Sequence, residues 1–210
     1  MHFEKDNIYH IYNQGNNKQK IFFNRENYLF FLRKIKIHVL PYADIFAWCL
    51  MQNHFHLMVL VNEVELEISF GRIAIGGATP SRTPNSNSCS LQKSIGILLA
   101  SYTRAINKQN GSSGSLFRSK TKAECLNEIN GITPSFYNTN AGTIMHVDNP
   151  EKQYPNICFN YIHQNPVNAG LVKYETEWEY SSAIDYSGLR AGTLINKEKA
   201  RKYGIFKGLL

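Results

Sequence analysis

Residues 43–61, ADIFAWCLMQNHFHLMVLV, form an apolar run almost long enough to cross a membrane, yet Gln52, Asn53, His54 and His56 lie inside it. Each of those side chains is costly in hydrocarbon, so the run is read as the interior of a water-soluble fold. It is also too long for one strand of about 5 or 6 residues. The polar pair Gln52-Asn53 divides it into two halves, DIFAWCLM and HFHLMVLV, and asparagine tolerates the left-handed backbone of a tight turn. The expectation is a buried β-hairpin, which commits the rest of the chain to covering an antiparallel sheet.

The remaining elements fall around that hairpin. NIYHIY, residues 7–12, is β-branched and aromatic enough for a first strand, followed by the polar loop NQGNNKQK. RENYLFFLRKIKIHVL, residues 25–40, carries apolar residues at helical intervals and should stop at Pro41. Ser90 is placed to cap a helix from Leu91 to about Gln109, with Ile95, Leu98, Leu99, Tyr102 and Ile106 on one stripe and Asn110-Gly111 ending it. SLFRSKTKAECL, residues 115–126, offers a further strand, and YPNICFNYIHQNPVNAGLV reads as a helix broken at Asn165-Pro166, with a short turn ending near Gly170. Between these elements, residues of about 76–90 and 127–153 have the composition of irregular insertions. The organisation expected is one domain over residues 1–210.

Charge and cysteine content narrow the function classes. The chain has a formal charge of +7, which favours a polyanionic partner. Cys49, Cys89, Cys125 and Cys158 show no paired spacing and read as reduced thiols. The opening MHFEKDNIYH has no apolar stretch of the signal-peptide kind, so a cytoplasmic protein, with no membrane partner, is expected.

Within the hairpin, side chains alternate across the strand, so His54 and His56 share a face while Phe55 and Leu57 take the other. Their backbones are about 7 Å apart. Two such imidazoles can serve as ligands of one divalent ion with open positions for a substrate oxygen, or can be hydrogen-bonded core residues without chemistry. A tyrosine on a helix over that face would complete a phosphoryl-transfer site. On periodicity alone Tyr102 is equally a core residue of its stripe, and Tyr12, Tyr137 and Tyr161 are further candidates.

Four ordered segments carry a family resemblance. LMQNHFHLMVL resembles the LMPNHxHLLV segment of the single-tyrosine transposases of the HUH superfamily, in particular those associated with repetitive extragenic palindromes (REP). SYTRAINKQNGSSGSLF is similar to their SYTRYFNxxxGRSGxLF, YIHQNPVNAGLV to their YIHxNPVRAGLV, and YHIYNQGNNKQKIFFNRENYLFFL to their amino-terminal segment. Gln52 and Ser119-Lys120 depart from the usual proline and glycine-arginine.

The resemblance implies an α/β (α+β) fold with a ferredoxin-like antiparallel sheet packed with helices. It implies a metal-dependent endonuclease and strand transferase acting on single-stranded or hairpin DNA through a 5′-phosphotyrosine, either as a monomer or as a homodimer. In that reading His54 and His56 hold Mg²⁺ or Mn²⁺, and Tyr102 attacks. The third ligand is sought on the tyrosine helix, at Asn107 or Gln109, although Asn107 is turned about 140° from Tyr102. Lys18, Arg104, Lys108, Arg118, Lys120 and Lys122 are the expected DNA-binding cations, since residues 91–122 contain no acidic residue. Gly15 to Lys18 could offer backbone amides to phosphate, and His163, Asn165 and Asn168 could touch DNA. The competing readings are a non-catalytic nucleic-acid-binding protein and a hydrolase in which water is the nucleophile.

Overall fold

A computed structural model describes residues 1–67, 88–127, 137–139, 142–144 and 150–206. The elements follow in the order β1 (Ile8–Gln14), α1 (Arg25–His38), β2 (Ala43–Met51), β3 (His54–Val61), β4 (Glu65–Glu67), β5 (Ser88–Ser90), α2 (Leu91–Asn110), β6 (Lys122–Cys125), β7 (Tyr137–Thr139), β8 (Gly142–Ile144), α3 (Pro150–Asn168), α4 (Ala183–Tyr186) and α5 (Lys197–Lys202).

The expected hairpin forms around Gln52-Asn53, with Met51 opposite His54 and Ala43 opposite Val61. β1 pairs with β3 and, along its other edge, with β6, giving an antiparallel sheet in the order β2-β3-β1-β6. This order, with α1 between β1 and β2 and α2 between β3 and β6, is the ferredoxin-like arrangement. A register shift between Ile45 and Ala47 lets β2 direct two successive residues, Phe46 and Ala47, to the same core, while Ile45 and Trp48 on either side of them face the other.

Local chemistry sets the helix ends. Asn24 accepts a hydrogen bond from the Asn27 amide to cap α1, and Ser90 does the same for the Lys93 amide at α2. Gly111, with φ of 61°, closes α2 in the left-handed conformation that glycine adopts without strain. Gly15 answers to a different constraint: a Cβ there would sit 2.1 Å from the Gln19 carbonyl oxygen.

Two corrections concern the later chain. α3 does not break at Pro166; it runs through Pro155 and Pro166 to Asn168, and Gly170, with φ of 67°, follows it. The lost amide bond at Pro166 is tolerated in a helix packed on the sheet through Cys158, Phe159 and Ile162. The two insertions also contain paired strands that their composition does not suggest. Ser88–Ser90 pairs with Glu65–Glu67, and Tyr137–Thr139 with Gly142–Ile144. Residues 76–87, and those of the second insertion between the named elements, lie outside the described residues.

The sheet separates two cores. On one side α1 and α2 contribute Phe31, Ile35, Ile95, Leu98, Tyr102 and Ile106 against Ile11, Leu50, Phe55, Leu57 and Val59. On the other, α3 meets Ile8, Phe46, Cys49, Met58 and Leu60. The tail after α3 returns along the outer edge of β2, where Ser182 accepts from the Trp48 amide and Tyr186 donates to the Phe46 carbonyl. Among the described residues no helix is long and apolar enough to cross a membrane.

Candidate metal and nucleophile site

Strand alternation places His54 and His56 of β3 on the α3 face of the sheet, as their neighbours Met58 and Leu60 show. The facing turn of α3 presents Tyr161 and Asn165, four residues apart and therefore on one side of the helix. The Tyr161 ring lies edge-on to that of His56, with centroids 5.4 Å apart. Asn165 Oδ1 is 3.3 Å from His54 Nε2. Tyr161 is 47% exposed, so a substrate can reach it. His54, His56, Tyr161 and Asn165 thus gather at one place where the sheet meets α3.

The same geometry overturns the expectation that Tyr102 faces the histidines. Tyr102 is wholly buried on the opposite side of the sheet, its ring among Phe22, Phe30, Phe31 and Phe117 and its hydroxyl donating to the Ile21 carbonyl at 2.7 Å. Burial pushes its hydroxyl far above the usual phenol range. The apolar stripe that makes α2 a core helix carries Tyr102 into that core. Asn107 is likewise elsewhere: its amide donates to the Gly114 carbonyl and accepts from the Ser112 hydroxyl, tying the loop after α2. Gln109 accepts from the Asn27 side chain, between α2 and α1. Tyr12 does lie on the histidine face, its ring 5.8 Å from that of His56, whereas the side chain of Tyr137 is outside the described residues.

Second partners orient both histidines. His54 Nδ1 is 2.6 Å from Asn53 Oδ1, an atom that can only accept, so the proton of a neutral His54 is on Nδ1 and its Nε2 carries a lone pair. Burial lowers the pKa of His54, with a smaller opposing effect from Asn165, which favours that neutral form. The Asn165 amide nitrogen donates to the Tyr161 carbonyl, turning Oδ1 toward His54. Two electron-pair donors therefore face each other at 3.3 Å. His56 is buried, and its Nε2 has no hydrogen-bond partner among the described residues. Its pKa is lowered well below the usual histidine range, chiefly by burial and then by the nearby His10 and His54.

A divalent ion fits this arrangement, since it would satisfy the orphaned His56 nitrogen and the opposed lone pairs of His54 and Asn165 together. Adjacent ligands of an octahedral ion with bonds of about 2.1 Å are themselves about 3 Å apart. The donor set is two imidazoles and an amide. Among the described residues there is no metal-holding cluster of three or more His, Cys, Asp or Glu. Asn107 and Gln109 of α2 do not reach this place; the four-residue spacing of Tyr161 and Asn165 on α3 is the signal in the sequence for an amide beside the histidines.

Four of the six expected DNA-binding cations, Arg104, Arg118, Lys120 and Lys122, line one open groove of about 760 Å³ between α2 and the β6 edge. The side chains lining it include no acid. Lys122, at one end of this lining, is the cross-strand partner of Tyr12, whose ring lies on the histidine face. Lys18 is exposed in the loop after β1, where its carbonyl accepts from Asn53, the residue that holds His54. Lys108 is exposed near the end of α2 and does not line the groove. His163 is buried, its Nε2 2.7 Å from Ser182 Oγ, which serves the attachment of the tail and not a surface contact.

No protein-family model and no curated protein matches the chain. A solved structure does: that of a REP-associated tyrosine transposase bound to a REP hairpin, with a TM-score of 0.52 and 14% sequence identity, over 94% of this chain and 87% of that one. The likeness is one of fold.

Proposed function

We propose that the chain is a DNA nicking and joining enzyme in which Tyr161 is the nucleophile and His54, His56 and Asn165 hold a divalent metal ion. The observation that carries this reading is the convergence of an accessible tyrosine with two histidines that present unshared nitrogens. The neighbour's hairpin and the basic groove support DNA as the substrate, single-stranded or folded into a hairpin. Of the two ions expected, a donor set with two imidazole nitrogens suits Mn²⁺ better than Mg²⁺.

When bound, the ion supplies Lewis-acid stabilisation of the charge that develops on the phosphate oxygens. The protein's own residues do the rest. Tyr161 Oη forms a bond to phosphorus as the bond to the 3′-oxygen of the preceding nucleotide breaks. The tyrosine proton passes to solvent, and the departing oxygen takes up a proton to become a free 3′-hydroxyl. The 5′-phosphotyrosine keeps the energy of the ester, so a second 3′-hydroxyl can reverse the step on another strand end without ATP. Lys122 and the other groove cations hold the flanking backbone. Asn165 fixes both the Tyr161 turn of α3 and one ligand position.

Peptide mapping of the covalent product tests this. With Mn²⁺ and a hairpin bearing a single-stranded 5′ extension, the protein should form an adduct stable to denaturation, with the nucleotide on the peptide that contains Tyr161. Attachment at Tyr102, or strand cleavage with no attachment, overturns the assignment; the latter makes water the nucleophile.

A further inference from the structure

His10, on β1, stands directly behind the proposed metal ligand. Its Nε2 is 2.8 Å from His56 Nδ1, and both side chains are buried. The two rings stack at 5.0 Å with an interplanar angle of 23°, and His10 stacks in turn on Tyr12 at 4.6 Å. Beyond it, His10 Nδ1 is 4.0 Å from Glu124 Oε2, the cross-strand neighbour on β6.

A hydrogen bond between two neutral imidazoles requires one nitrogen to donate and the other to accept, so the pair has two proton arrangements. If His10 donated to His56, the His56 proton would sit on Nε2, where it would be a buried donor without a partner among the described residues. It would also block the ligand position. In the reverse arrangement His56 donates from Nδ1, its Nε2 keeps a lone pair, and the proton of His10 lies on Nδ1, the nitrogen that faces a carboxylate. The negative charge of Glu124 favours the proton on that side.

We propose that His10 is a positioning residue that fixes His56 in the Nδ1–H form, leaving His56 Nε2 unprotonated and aimed at the ion. The proposal rests on the metal reading above for its consequence, but the proton arrangement belongs to the protein alone. Glu124, His10 and His56 form a chain from β6 through β1 to β3, so three strands of the sheet cooperate in presenting one nitrogen. His54 is served differently, by the neighbouring Asn53 in the hairpin turn.

Two substitutions and two readouts test it. His10→Phe keeps an aromatic ring to stack on Tyr12 and His56 but removes the acceptor; His10→Gln restores an acceptor and a donor. In metal-free protein, ¹⁵N-resolved imidazole spectra should show His56 as the Nδ1–H tautomer in wild type and in His10→Gln, and a shift toward Nε2–H in His10→Phe. The Mn²⁺ affinity of folded His10→Phe should fall by about 10- to 100-fold, as for loss of other outer-shell partners, and His10→Gln should recover most of it. Thermal melts confirm that each variant is folded. A wild-type His56 protonated on Nε2, or a folded His10→Phe with unchanged Mn²⁺ affinity, overturns the proposal while leaving the metal site standing. Wild-type protein that binds no Mn²⁺ overturns the metal reading, and the proposal's functional consequence falls with it.

Discussion

On the α1/α2 side of the sheet, β3 contributes Phe55, Leu57, Val59 and Val61; on the α3 side the same strand contributes His54, His56, Met58 and Leu60. The first set packs into a continuous aromatic and aliphatic core. The second begins as a core at Leu60 and turns polar toward the hairpin end, where Tyr161 and Asn165 arrive from α3. Four strands thus support two chemistries, and the pleat alone sorts them. The contrast separates two tyrosines that the sequence alone leaves as alternatives: Tyr102 belongs to the side that packs, Tyr161 to the side that is open.

The sharpest way to break this contrast is to remove one hydroxyl from each side. Tyr161→Phe should lower the rate of adduct formation by on the order of 10⁴-fold or more, since nucleophile and helpers act as a unit. Tyr102→Phe should leave that rate unchanged and cost about 1 kcal/mol of stability through the lost bond to Ile21. Time courses on denaturing gels distinguish the two, and equal losses in both variants would erase the distinction between the sides.

Next in size is a packing test. Phe31, fully buried between Phe22, Phe55 and Tyr102, should cost about 3–5 kcal/mol when replaced by alanine. Urea unfolding at neutral pH measures it. Tyr161→Ala, at a half-exposed ring, should cost much less.

Acid sharpens the comparison from the other side. Burial lowers the pKa of His10 and His163, both on the α3 side, to about 4. An unfolded histidine titrates near 6.5, so between about 6.5 and 4 the unfolded chain binds more protons than the folded one. Stability therefore rises with pH through that window and is lost as pH falls, by up to about 3 kcal/mol for each group at the acid end. Unfolding free energies at several pH values, in chelator, check the sign. A flat profile between pH 7 and 4.5 would show that these rings are not held neutral.

The smallest effect concerns the basic groove at the β6 edge. Lys120→Ala should weaken hairpin binding a few-fold and flatten the dependence of log affinity on log salt by about 0.9 if one phosphate contact is lost from a duplex stem. Lys108→Ala, outside the groove, should change the slope less.

Much of this arrangement is legible in the sequence because it is local. The Gln52-Asn53 turn, the Ser90 cap and the apolar stripes of α1 and α2 are set by neighbours within a few residues. That His54 and His56 share a face follows from the period of a strand. Which helix covers that face does not, because it depends on a segment more than 100 residues later, as the His54–Asn165 separation of 111 shows. Pro155 and Pro166 conceal the continuity of α3 and with it the shared side of Tyr161 and Asn165. The periodicity that places Tyr102 on an apolar stripe points to burial, while the motif around it points to chemistry; the structure follows the periodicity. His10 gives no signal by itself, since its importance lies in a diagonal contact between strands.

The tail that runs along β2 has a consequence in time. Trp48 waits for Ser182, 134 residues further on, before its amide is paired. At about 5–20 residues per second, synthesis leaves the β2 edge open for on the order of ten seconds. During that interval a largely buried, apolar strand presents unpaired amides and carbonyls of the kind that recruit other strands. The nascent hairpin therefore faces its greatest hazard of pairing with a neighbouring chain before the tail has been made, and the tail's arrival closes the edge to strand addition by a second copy.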